Sequence, residues 1–296
     1  MSFVPPSAFS SRIRVDEPLS RHTSWHVGGP AEIFFMPESR ADLVAFLKQL
    51  PLDVPLLWLG LGSNLLVRDG GVRGVVISTR EALTALEQRG ERGVYAEAGV
   101  PCAKLARACA RWDLGPAEFF TGIPGTVGGA LAMNAGAFGG ETWPYVARVE
   151  TVDRHGEVRD RAAAEYRFSY RHVDAPATEW FLAAQFSFPD GSSEEATRAL
   201  LERRRQTQPI GEWSCGSVFT NPPGDHAARL IESAGLKGLK VGGATVSAKH
   251  ANFIVNEGAA SARDIESLIE QVQHEVELRH GRRLVPECRI VGEQPR

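Results

Sequence analysis

Two short glycine loops are the places where this chain could do chemistry with its backbone. GLGSN occupies residues 60–64 and GIPGTVGG residues 122–129. The second opens a twenty-residue stretch, GIPGTVGGALAMNAGAFGGE, with seven glycines and one charged residue, Glu141. Without a Cβ, peptide N–H groups can approach an anion or a flat ring closely. A pair of such loops suits a dinucleotide, which needs a cradle for its pyrophosphate and a wall for its ring. Neither loop is a GxGxxG fingerprint, because GLGSNL lacks the third glycine and runs into LLV rather than a helical pattern; neither is a P-loop, because no GK[ST] follows. Tight turns between strands would account for either loop alone. The two together, the second continuing to Asn134 and Gly136, point to a ligand.

The elements that must hold these loops alternate along the chain. Ile33 to Met36 reads as a strand, and Ser39 as the cap of a helix to Leu50 with Leu43, Phe46, Leu47 and Leu50 on one face. Leu56 to Leu59 is a short strand that delivers GLGSN. Val75 to Ser78 and Val94 to Ala98 are further strands, and Pro101 opens a helix to about Asp113. VARVETVDRHGEVRD predicts a hairpin turning at His155-Gly156, and Glu179 to Phe188 another strand. FPDGSS, around Asp190-Gly191, is the best domain boundary, followed by a Ser192/Glu195 capping box for a helix toward Arg205. A long helix from Ser261 to His280 carries Ile265, Leu268, Ile269, Val272 and Val276 on one stripe, and Gly281 stops it. Strands and helices mix without a βαβ rhythm, so the fold class is α+β, with domains at 1–190 and 191–296.

Composition narrows the partners. The chain has 296 residues and a net charge of −3, with 43% hydrophobic and 23% charged residues, which describes a globular protein without a basic footprint for nucleic acid. The run Arg203-Arg204-Arg205 beside Glu202 reads as a solvated helix face. No stretch approaches the roughly 18 apolar residues of a membrane span, and MSFVPPSAFSSRIRV lacks a signal-peptide core. Cys102, Cys109, Cys215 and Cys288 form no close pair, so no metal site is expected. A cytoplasmic setting and no obligatory protein partner are the expectations.

GLGSNLLV, GIPGTVGGALAMNAGAFGGE, YRFSYR, GSVFTNP, GLKGLKVGGATVSAKHANFIVN and LVPECRIVG occur in this order. Together they resemble the UDP-N-acetylenolpyruvoylglucosamine reductases, flavoenzymes of peptidoglycan precursor synthesis, over about Ser20 to Gly292. The resemblance implies a non-covalent FAD in a binding fold of the vanillyl-alcohol-oxidase type, then a smaller α+β domain for a UDP-sugar, with NADPH as hydride source. It assigns FAD to Gly60, Leu61, Gly62, Ser63, Asn64 and Leu65. It also assigns FAD to Gly122, Ile123, Pro124, Gly125, Thr126, Val127, Gly128 and Gly129, with Asn134 and Gly136. The scarcity of charge would then keep the flavin site dry.

The same resemblance gives Ser217 the part of proton donor, Arg171 that of the cation on the substrate carboxylate, and Glu287 that of the active-site glutamate. Hydride addition leaves charge on a carbon next to that carboxylate, which a guanidinium fork holds and a fixed hydroxyl quenches. Arg167 lies four residues before Arg171, and spacing alone leaves both open because an offset of four shares a side in helix or strand. Glutamate is ionised near pH 7, so Glu287 is expected to be protonated or to act through Arg171 or a water. Asn221, Lys249 and Asn252 are implied as substrate contacts, Lys237 and Lys240 less so. Two departures from the family pattern stand out: Thr220 where FKNP would place a lysine, and Thr207 in RRQTQP at another lysine position. The link HVDAPATEW is short, as in the shorter branch of the family. The competing readings are another flavin oxidoreductase of the same fold, a UDP-sugar sensor and a ligand-free scaffold.

Overall fold

In the computed structural model, residues 5–189, 191 and 194–295 are described. The chain divides into two compact units. The first comprises residues up to Val15, Ile33–Leu61 and Gly74–Arg203; the second comprises Asp16–Glu32, Gly62–Arg73 and the chain from Arg204 onward. This differs from a single cut near residue 190. Leu65–Val67 pairs in parallel with Arg289–Val291, and Trp25, Val27 and Leu66 are buried in one core with Leu268 and Val272. Two early segments therefore complete a sheet and a core made mostly of late ones. Asp190 and the Ser192/Glu195 capping pattern fall outside the described residues, but the helix after them spans Glu194–Thr207.

The first unit is built on a five-stranded antiparallel sheet, in the order Val158–Ala162, Val146–Asp153, Glu179–Ser187, Gly93–Glu97, Leu86–Arg89. The hairpin turns where the sequence places it, with Gly156 at φ 74°. Helices Cys102–Arg111 and Val127–Met133 contribute Leu105, Cys109 and Leu131 to a core that includes Val94, Val149 and Phe186. Pro101 stands at the N-cap, one position before the helix.

A second sheet runs in the order Ile13–Pro18, Pro30–Phe35, Val72–Ser78, Leu56–Leu59, the last two parallel. Helix Arg40–Gln49 is capped by the Ser39 side chain, which accepts from Asp42 N at 3.1 Å. Its Leu43, Phe46 and Leu47 are buried with Phe35, Val75 and Ile77; each such side chain contributes about 2 kcal/mol by leaving water. This packing fixes the strand Leu56–Leu59, which leads into Gly60.

In the second unit, strands Lys240–Val241, Ala244–Val246 and Ile254–Asn256 form an antiparallel sheet. Helix Ala262–His280 starts with a Ser261/Asp264 capping box and stops at Gly281, which has φ 63°. The predicted stripe, Ile265 to Val276, is buried. Asp69 accepts from Ala262 N and Arg263 N at 2.9 and 3.0 Å, and Arg68 pairs with Glu266 at 2.7 Å. The mixture of parallel and antiparallel pairing is α+β, as the sequence predicts.

Candidate functional site

Within the first unit the two glycine loops touch. A Cβ on Gly60 would stand 2.5 Å from Thr126 Oγ1, so only glycine permits this approach. Thr126 is 2% exposed and caps helix Val127–Met133, its hydroxyl accepting from Gly129 N at 3.4 Å. Val127 N and Gly128 N donate to Val100 O and Ala98 O, each at 2.8 Å. The loop is thus sewn to the end of a sheet strand. The side chains of Ile123, Thr126 and Val127 face the core, whereas Pro124 and Gly129 are exposed. What residues 122–129 can offer a ligand is therefore mainly backbone.

Not every glycine of the long stretch serves a ligand. A Cβ at Gly136 would meet Gly140 O at 2.3 Å and Arg171 Nη1 at 3.2 Å, so this glycine makes room for a chain reversal and for a guanidinium. Arg171 Nη2 donates to Gly136 O at 2.8 Å, and the guanidinium lies 4.8 Å from the Tyr170 ring centre. Arg171 sits at φ 57° in the turn between strands Arg167–Ser169 and His172–Asp174. The reversal separates the two arginines that spacing could not distinguish: Arg167 is an exposed strand residue, and Arg171 is half-buried against the glycine stretch.

Asn134, expected at the cofactor, ends helix Val127–Met133. It is fully buried at φ 48° as the left-handed C-cap of helix Val127–Met133. Its Nδ2 donates to Glu141 Oε2 and to Ser169 O, both at 3.0 Å, and its Oδ1 accepts from Trp143 N at 3.0 Å. Both side-chain donors are thus committed within the loop and its neighbours.

In the second unit, Gly62 has φ 61° and its carbonyl accepts from Ser24 N at 3.2 Å. The N–H groups of Gly62 and Ser63 have no backbone partner among the described residues. Adjacent peptide donors of this kind, one residue being left-handed, suit an anion. Leu65 then enters the strand toward Val67, as the LLV pattern indicated.

The segments of Ser217 and Glu287 lie side by side in this unit. Ser217 is half-buried, follows Gly216 at φ 84°, and its hydroxyl has no hydrogen-bond partner among the described residues. Val218 N donates to Asn252 O at 2.9 Å, and Val218 O accepts from Glu287 N at 2.7 Å. Asn252 is 4% exposed; its Oδ1 accepts from Phe219 N at 3.0 Å and its Nδ2 donates to Phe219 O at 2.8 Å. Expected as a substrate contact, it has its side-chain amide turned to the Phe219 backbone, in the segment that follows Ser217. Sequence reasoning missed a further brace. Asn64 Nδ2 donates to Glu287 O at 3.0 Å, and Asn64 O accepts from Arg289 N at 3.0 Å. Only the parallel pairing of Leu65–Val67 with Arg289–Val291 makes this visible, and spacing of 223 residues gives no local signal.

The remaining candidates are differently placed. Lys249 is exposed and donates to Arg205 O. Asn221 is exposed, its Oδ1 accepting from Ala227 N at 3.0 Å at the start of helix Ala227–Ser233. Lys237 and Lys240 pair with Glu232 and Glu257 on the surface, and Thr220 Oγ1 donates to Val285 O at 3.3 Å. All four cysteines are free and buried; burial pushes Cys109 up to about 12 and raises Cys215 well above an ordinary thiol. No group of three or more metal-binding side chains occurs among the described residues, and no described helix is long and apolar enough to cross a membrane.

Comparison with known proteins agrees with this arrangement. A family model described as FAD binding domain matches residues 31–161, and one described as UDP-N-acetylenolpyruvoylglucosamine reductase, C-terminal domain, matches residues 208–291. The reductase of that name from Alkalilimnicola ehrlichii is 62% identical over 94% of either chain, and that from Methylococcus capsulatus is 59% identical over 94% of this chain and 92% of its own. The crystal structure of UDP-N-acetylenolpyruvylglucosamine reductase from Thermus caldophilus superposes with a TM-score of 0.81 at 35% identity, covering 94% of this chain and 99% of that one. With relatives this similar along nearly its whole length, the chain belongs to the UDP-N-acetylenolpyruvoylglucosamine reductase family.

Proposed function

We propose that the chain reduces the enolpyruvyl group of UDP-N-acetylglucosamine enolpyruvate to UDP-N-acetylmuramate, in peptidoglycan precursor synthesis. FAD, bound non-covalently, supplies the two-electron chemistry, with NADPH as the source of hydride. The fit of FAD to this chain is supported by the Gly60–Thr126 approach and by the Gly62 and Ser63 N–H groups, which have no backbone partner among the described residues. Those two donors suit a diphosphate oxygen, and the exposed residues Pro124 and Gly129 suit a flat ring.

The chain's own side chains then have three tasks. Arg171 meets the substrate carboxylate, and its hold strengthens as charge accumulates on the adjacent carbon. Its guanidinium gives one nitrogen to Gly136 O, which orients the fork. Ser217 gives the proton to that carbon. A hydroxyl is a weak acid, but the carbon it protonates is strongly basic, and a fixed donor acts from one face. Glu287, held one hydrogen bond from the residue after Ser217, steadies the donor or its water. Asn221 and Lys249 are the proposed diphosphate and sugar contacts, standing in for the lysines absent at Thr207 and Thr220. The four free thiols support a cytoplasmic setting.

The observation that carries this reading is the Ser217 hydroxyl, half-buried and without a hydrogen-bond partner among the described residues, near the Glu287 backbone. Anaerobic stopped-flow spectroscopy tests it. NADPH should bleach the flavin absorbance, and the enolpyruvyl UDP-sugar should restore it. Ser217→Ala should keep the bleaching and slow the recovery by at least about 10²-fold, the usual worth of a positioned proton donor. Recovery at the parental rate would remove Ser217 from the mechanism.

A further inference from the structure

Asn64 stands in the loop proposed to hold the diphosphate, yet its side chain addresses the glutamate. Its Nδ2 donates to Glu287 O at 3.0 Å, and its own carbonyl accepts from Arg289 N at 3.0 Å. The other edge of the Glu287 peptide donates to Val218 O at 2.7 Å. The backbone of Glu287 is therefore gripped from both sides, by the segment that follows Ser217 and by the loop that follows Gly62. Leu65 continues this loop into the parallel pairing with Arg289, so the loop and the glutamate segment move together or not at all.

We propose that Asn64 is the positioning residue for Glu287, and that through it the cofactor loop sets where the glutamate stands. The proposal rests on Glu287 serving the reaction as assigned above. Its consequence is that a loop ordered by bound dinucleotide brings the glutamate into register for the second half of the reaction, while the first half, reduction by NADPH, does not depend on that bond.

Asn64→Asp keeps the shape and replaces the donor by an acceptor facing the Glu287 carbonyl. Anaerobic half-reactions at saturating FAD should show transfer to the enolpyruvyl substrate slowed about tenfold more than flavin reduction by NADPH, the scale of one lost hydrogen bond. Placed in a Glu287→Gln background, Asn64→Asp should add no further loss, because both changes act on one group. Hydrogen exchange at the Glu287 amide supplies a readout independent of turnover: protection should rise on adding FAD to the parent and stay low in the variant. Additive losses, equal slowing of both half-reactions with loss of flavin, or FAD-independent protection in the parent would each overturn the proposal. Full turnover by Glu287→Gln alone would instead remove the glutamate's role, and this proposal with it. If Asn64→Asp does not fold, Asn64→Ser, too short to reach the carbonyl, carries the same expectations.

Discussion

Asn134→Ala separates a framework residue from a cofactor ligand. The side chain is fully buried and makes three hydrogen bonds of 3.0 Å, to Glu141, to Ser169 O and from Trp143 N. Its removal strands the Trp143 N–H in a core where Trp143 is 1% exposed; an unsatisfied buried donor costs about 1–3 kcal/mol. Loss of the bond to the half-buried Glu141 adds about 1 kcal/mol. The φ of 48° suits asparagine better than alanine, by about another 1 kcal/mol. The total is about 3–5 kcal/mol, a large part of the 5–15 kcal/mol typical of whole-protein stability. Urea unfolding followed by far-ultraviolet circular dichroism, with FAD present and with FAD stripped, should show this loss in both preparations. Asn134→Gly, which relieves only the backbone, should lose about 1 kcal/mol less. An FAD-free protein unchanged within about 1 kcal/mol, combined with weakened FAD binding, would refute the framework assignment, since the loss of buried hydrogen bonds must appear without ligand.

Two further predictions follow from particular contacts. Gly60→Ala brings a methyl to 2.5 Å from the buried Thr126 hydroxyl, so FAD affinity, read by flavin fluorescence, should weaken about tenfold or more, and adding Thr126→Ala should restore part of it; no restoration would mean that the two loops are not in the relation described. Glu179, with its side chain 8% exposed, accepts from Arg161 at 2.6 and 2.8 Å, and this guanidinium holds it below the usual carboxylate range. A depressed folded pKa gives stability that is present above the unfolded value, about 4.3, and is lost as pH falls through the folded one. Glu179→Gln should therefore cost about 2 kcal/mol at neutral pH, and its stability curve should converge with the parent's in acid; a constant gap at all pH values would show that the ion pair is not the source.

What the sequence discloses about this protein follows the reach of each physical signal. Helix Ala262–His280 was legible because its stripe, its capping box and its terminal glycine all act within a few residues. The Arg40–Gln49 helix and the Val146–Ala162 hairpin were legible for the same reason. The unit division was not: Trp25 and Leu66 join a core with Leu268 through pairing across more than two hundred residues, and no local pattern records which strand takes which neighbour. At the site, the segments were identifiable, but the work of single side chains was not. Asn134, Asn252 and Asn64 all sit in glycine-rich or loop sequence where an amide can face ligand or backbone equally well. The structure turns all three toward peptide groups. That outcome has a physical reason. A loop open enough to admit a dinucleotide has few ladder hydrogen bonds of its own, so its buried peptide groups must be satisfied by side chains. A carboxamide does this best, because one group both donates and accepts without bringing a charge near the flavin. The scarcity of charge and the single asparagine in each of these loops, Asn64 and Asn134, are then two consequences of one demand, that the backbone stay rigid and its remaining N–H groups stay available to the ligand.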